Sequence, residues 1–164
     1  MKKAVLVIFL VFLVFFTGCG IYSFTGSTLP SNVRTIEIPL FENVALVSGA
    51  AERITEVLSQ KIVRERLTVV ARNGDAIIRG TVVSYINRAS DFTGTRDDLT
   101  VLQSSVEIVA DIIFFDNRNN REIYRGRVIA IGNYDFATET EMDGRERAID
   151  DLTERILMNS IRSW

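Results

Sequence analysis

The chain has 164 residues, room for one domain with a single core. Its 47% apolar and 24% charged composition is that of a globular protein, which excludes a disordered tail or a low-complexity scaffold. Histidine is absent and Cys19 is the only cysteine, so Ser/His/Asp triads, Cys/His pairs and the usual zinc sites are impossible. A formal charge of −2 argues against a general nucleic-acid or anionic-membrane binder, and any basic site must be local.

Lys2 and Lys3 precede an unbroken apolar run from Ala4 to Phe16, then Thr17, Gly18 and Cys19. A positive start, a short apolar stretch and small residues form the grammar of a secretory signal, and the run is shorter than the ~17 to 25 residues needed to cross a bilayer. Phe16-Thr17-Gly18-Cys19 resembles a bacterial lipobox, with phenylalanine where leucine usually stands. That resemblance implies removal of residues 1–18, lipidation of Cys19 and, with Gly20 next, sorting to the outer membrane. Two or three acyl chains hold a protein at a bilayer where one does so only marginally, at ~0.8 kcal/mol per buried methylene. The basic charge of the mature chain would be arginine apart from Lys61, and guanidinium suits forked pairing with carboxylate or phosphate.

Residues 19–33, with Gly20, Gly26, Ser27, Pro30 and Ser31, read as a lipidated tether, and 34–164 as one folded domain. Ile36, Ile38 and Leu40 alternate with polar residues as a first strand over 34–40. Ala51, Ile54, Leu58 and Ile62 recur at helical steps and predict a helix over 50–66. Leu67–Ala71 fits a short edge strand, and Asn73-Gly74-Asp75 is turn chemistry. Alternation predicts a second strand from Ala76 to Ile86 and a third from Val106 to Phe114. A turn at 116–120 leads into a fourth from Tyr124 to Phe136, completing an antiparallel meander. The polar stretch Asn87–Gln103 reads as a long functional loop. Asp143 followed by Glu146 suggests a capping box for a last helix running toward Trp164, with an alternative start near Glu139 and Gly144 as its weak point.

The order β-α-β-β-β-α predicts an α+β two-layer sandwich: two helices on one face of a four-stranded mixed or antiparallel sheet, the other face open. Arg79, Tyr85, Arg125 and Arg127 are assigned to that open face, with Val83, Glu107, Val109, Asp111, Ile113, Phe115, Ile129 and Ile131. Its charges read as a cross-strand ion ladder, and its apolar members as a patch that a protein partner would cover.

The stretches Gly18-Cys19-Gly20-Ile21-Tyr22-Ser23-Phe24, Leu29-Pro30 and Ile36-Glu37-Ile38-Pro39-Leu40-Phe41-Glu42-Asn43 resemble the opening of the lipopolysaccharide-assembly lipoprotein family LptE. Asp75-Ala76-Ile77-Ile78-Arg79-Gly80-Thr81-Val82 is similar to that family's second strand, the strand of Asp111 to its third, and 139–161 with Ala148 and Leu152 to its closing helix. The resemblance implies a non-catalytic protein held by lipid on the periplasmic side of the outer membrane. It further implies that the protein plugs the β-barrel LptD, helps that barrel assemble and helps lipopolysaccharide reach the surface. Arg88 and Arg96 are candidates for lipopolysaccharide phosphates, with a solvated loop charge an equal reading for each because Asp91, Asp97 and Asp98 lie close by. No cofactor, metal or nucleic acid is expected. The rival readings are a lipid-anchored scaffold or activator of another envelope enzyme or secretion complex, and a glycosidase using Asp97-Asp98 or Glu139 and Glu141.

Overall fold

The structure is a computed structural model and describes residues 33–95 and 98–161. The expected signal segment, Cys19, nearly all of the expected tether and Arg96 lie outside the described residues. In chain order the elements are β1 (Thr35–Glu37), β2 (Glu42–Asn43), α1 (Ala50–Arg64), β3 (Thr68–Val70), β4 (Ala76–Thr95), β5 (Asp98–Asp116), β6 (Arg121–Asp135) and α2 (Glu141–Ser160).

The sheet has six strands rather than four. Its order is β3-β1-β4-β5-β6, with β2 beside β4. β1 pairs parallel with both β3 and β4, and β4-β5-β6 is the antiparallel meander. β2 and β3 are two and three residues long, too short for alternation to reveal β2 at all.

Asn87–Gln103 is not a loop. β4 and β5 stay paired as far as Thr95 opposite Asp98, and the ladder between β5 and β6 begins only at Gln103 opposite Asp135. The hairpin therefore runs about 15–20 Å past the end of β6. Ser90, Asp91, Thr93, Thr95, Asp98 and Thr100 crowd this ribbon, and in sequence such a polar stretch imitates a loop.

α1 buries Ala51, Ile54, Leu58 and Ile62, while α2 buries Ala148, Ile149, Leu152, Ile156 and Leu157. Both stripes close on Ile78, Val82, Val106, Ile108, Ile112, Phe114 and Val128 of the long strands. Each such aliphatic chain contributes about 1.5–3 kcal/mol by leaving water. Lys61 ties the helices together: its stem is buried and its Nζ lies 2.8 Å from Asp150 Oδ1 and 3.4 Å from Glu154 Oε2.

The capping box of α2 sits three residues earlier than Asp143 and Glu146 suggested. Asp143 Oδ2 accepts the backbone N–H and the hydroxyl of Thr140, both at 2.8 Å, so Thr140 caps the helix. Gly144 lies inside the first turns, buried, where α2 meets β6 backbone to backbone. A Cβ at Gly132 would stand 1.9 Å from the Gly144 carbonyl oxygen and 2.5 Å from the Ala148 nitrogen.

β1 is held by Asp75. Its Oδ2 accepts the backbone N–H groups of Arg34 at 2.9 Å and Thr35 at 3.0 Å, and its Oδ1 accepts Arg118 Nε at 2.6 Å. The Asp75 N–H donates in return to Thr35 Oγ1 at 2.9 Å. These donors, the Arg34 N–H foremost, hold the Asp75 carboxyl well below the usual carboxylate range.

Two predictions follow from these contacts. Gly132→Ala forces α2 off β6, costs about 1–3 kcal/mol of the overpacking kind and lowers the melting temperature in a thermal scan. Asp75 binds a proton less readily folded than unfolded, so its contribution is fully present above about pH 5 and is lost as pH falls below about 4. Asp75→Asn therefore lowers the melting temperature at pH 7 and flattens its decline between pH 5 and pH 3, read by circular dichroism.

Candidate functional site: the open face of the sheet

Both helices cover the same face, so the register of β4, β5 and β6 writes out the other one. Its rows, read across the three strands, are Arg79–Ile113–Arg125, Thr81–Asp111–Arg127, Ser84–Val109–Ile129, Ile86–Glu107–Ile131 and Arg88–Ser105–Asn133. β5 and β6 keep strict alternation through all five rows. β4 does not, because Val82 pairs with Ala110 while Ser84 pairs with the next residue, Val109, leaving Val83 as an extra residue. That bulge exchanges the faces of the residues after it as far as Ala89, where the register shifts again.

Tyr85 is the casualty among the assigned residues. It lies opposite Ile108 on the helix-covered face, and its hydroxyl donates to Glu141 Oε1 at 2.7 Å. Burial, followed by the Glu141 carboxylate, pushes its phenol well above the usual range. Ser84 and Ile86 take the outward places instead. Arg88 keeps an outward place too, but on the ladder rather than in a loop: its Nη2 contacts Glu107 Oε2 at 2.5 Å.

Arg79, Arg125 and Arg127 do come together. With Thr81, Asp111 and Ile113 they line a depression of about 490 Å³ on the open face. Arg127 meets the directly opposite Asp111 in a fork, Nε to Oδ1 at 2.7 Å and Nη2 to Oδ2 at 2.9 Å. The fork holds the Asp111 carboxyl below its ordinary value and the Arg127 guanidinium above its own. Arg125 reaches sideways to Glu122 at 2.6 Å, which raises its guanidinium likewise. The Arg79 side chain has no ion pair or hydrogen bond among the described residues, so the depression presents one uncommitted cation. Exposed pairs of this kind add little stability and leave the guanidinium planes available to a partner.

Toward the hairpin the face turns apolar. Ile86, Ile129 and Ile131 are 41%, 49% and 50% exposed and surround the half-buried Val109. The sheet face thus carries a cationic hollow beside a patch of isoleucine. Among the described residues no group of three metal-ligating side chains occurs.

One polar cluster escaped sequence reasoning. Under the mouth of the hairpin, Glu141 also accepts Asn87 Nδ2 at 2.8 Å, and Asn87 Oδ1 accepts the Tyr134 hydroxyl at 3.0 Å. Beside it, Arg147 pairs with Glu139 and holds that carboxyl down at about 2. These partners are up to 56 residues apart, and the bulge that brings Tyr85 and Asn87 to them has no marker in the sequence.

The geometry is that of a two-layer α+β domain with one face of its sheet open. The family model for LptE, lipopolysaccharide-assembly, matches residues 33–160, and the chain belongs to that family, which is one of non-enzymatic lipoproteins. Among solved structures, the CT253 protein of Chlamydia trachomatis is similar at a TM-score of 0.53 and 10% identity, over 77% of this chain and 96% of that one. The PelC dodecamer of Paraburkholderia phytofirmans gives 0.52 at 10% identity, over 84% and 96%. Lipoprotein B of Nitrosomonas europaea gives 0.49 at 20% identity, over 84% and 88%. At 10% identity the likeness to the first two is one of fold alone. Comparison with curated protein sequences gives no match.

Proposed function

We propose that this protein is an outer-membrane lipoprotein, acylated at Cys19 and lying on the periplasmic side. In this reading it docks in an LptD-like barrel, assists that barrel's assembly and takes part in lipopolysaccharide transport. Membership of the LptE family supports the general role. The open sheet face carries the docking half of the reading: a hollow with the uncommitted Arg79 beside half-exposed isoleucines is a poor surface to leave in water and a good one for a polar wall with carboxylates. Arg79, Arg125 and Arg127 are the partner-facing residues in this reading. Tyr85, whose hydroxyl is taken up by α2, is not one of them. Arg88, already engaged by Glu107, and Arg96 are the candidate contacts for lipopolysaccharide phosphate.

Crosslinking in intact envelopes followed by pull-down tests the reading. A large barrel is expected in the product, and recovery of a peptidoglycan synthase or a secretion pore in its place would overturn it. Arg79→Glu leaves the melting temperature unchanged and reduces the barrel recovered, whereas undiminished recovery removes Arg79 from the interface. Cys19→Ala abolishes acylation, seen as the loss of the lipid mass, while the circular dichroism of the domain stays the same. Depleting the protein lowers surface lipopolysaccharide and assembled barrel together.

A further inference from the structure

β6 ends the sheet on its side, and among the described residues no strand pairs with its outer edge. The direction of its backbone groups is readable. The Phe136 N–H donates inward to the Leu102 carbonyl at 3.2 Å, whereas the Asn133 carbonyl turns outward and accepts Arg147 Nη1 at 2.6 Å. Register with β5 is unbroken from Asp135 back to Tyr124, so the odd-numbered residues from 125 to 133 all aim their N–H and C=O groups off the sheet.

Natural edges are guarded by charge, proline or bulges. Here Arg125 and Arg127 guard one end, Asp135 and the Arg147 side chain the other. Between them Val128-Ile129-Ala130-Ile131-Gly132 has no charge, no proline and no bulge, and its two isoleucines are half exposed. An uncharged, β-prone run on a free edge seeks another strand.

We propose that this edge pairs with the same edge of a second copy of the chain, antiparallel about a twofold axis at Ala130. The strand is complementary to itself in that register. Ile129 falls opposite Ile131 of the second copy, twice by symmetry, so four isoleucines close into one cluster on the open face. Arg125 falls opposite Asp135 of the second copy, again twice. Odd residues meet odd residues, so the outward donors and acceptors of Ile129 and Ile131 meet those of their mates, while toward the ends Arg147 already holds the Asn133 carbonyl and Glu139 both backbone groups of Asp135. α2 packs on β6 more than on β5 and reaches over the edge with Arg147, so its symmetry mate would lie directly beside it on the same side of the joined sheet. Such a dimer shields the isoleucine patch of a chain not yet engaged elsewhere. It does not depend on the identity of the barrel.

Sedimentation velocity of the full mature chain in detergent, across a concentration series, tests the pairing. A reversible monomer–dimer equilibrium is expected. Ile131→Lys retains the circular dichroism and melting temperature of the parent and raises the dimer dissociation constant by roughly tenfold or more, because symmetry places each new charge twice at the seam. Ile86→Lys, two strands away on the same face, leaves the dimer intact. Arg125→Glu weakens it, and Arg125→Glu combined with Asp135→Lys restores it. A monomer at every concentration overturns the proposal. So does a dimer indifferent to Ile131→Lys, which would be held by the acyl chains, or one dispersed by Ile86→Lys, which would be stacked face to face.

Discussion

Val83 is one residue more than the ladder between β4 and β5 accommodates, and the layout of both faces depends on it. Before it, β4 sends Ile78 and Val82 to the helices and Arg79 and Thr81 outward. After it the parity reverses, so Tyr85 and Asn87 turn inward and Ile86 and Arg88 outward. Without the bulge, Glu141 at the start of α2 would lose the two donors it accepts from β4, and the isoleucine cluster of the open face would lose Ile86. A bulge also strengthens the local twist, at the point where the hairpin begins to leave the body of the sheet.

Two helices can cover only one side of a sheet this wide, and the uncovered side divides its labour. Near β1 it is ionic, with Asp111 and Arg127 locked face to face, Arg125 turned toward Glu122 and Arg79 uncommitted. Nearer the hairpin it is apolar, around Ile129 and Ile131. In the proposed docking, charge in the first region supplies orientation and selectivity, and apolar area in the second supplies affinity. The same two regions meet along β6, whose edge is charged at both ends and bare in the middle. Docking to a larger protein and pairing between copies would therefore draw on neighbouring parts of one surface.

The helices and long strands were legible because each buries a continuous stripe, and burial selects residues at the period of the element. Ala51, Ile54, Leu58 and Ile62 announce α1, and Val106, Ile108, Ala110 and Ile112 announce the inward face of β5. β2 escaped notice because two residues carry no period, and the outer half of the hairpin because it leaves the core that would impose one. Arg79, Arg125 and Arg127 were assigned to one face correctly, since no irregularity intervenes between them and the residues that define the face. Tyr85 was assigned wrongly because it lies two residues beyond one.

What the residues alone determined is the class of molecule. The absence of histidine, the lone cysteine behind an apolar leader and the β-α-β-β-β-α periodicity follow from composition and spacing, which are properties of the chain before it folds. Only the tertiary structure decided which arginines share a hollow, that Arg88 stands on a ladder beside Glu107's strand, and that β6 has no strand on its outer side among the described residues. Those facts depend on the register between strands tens of residues apart, and one inserted residue changes register without changing the pattern of hydrophobicity on either side of it.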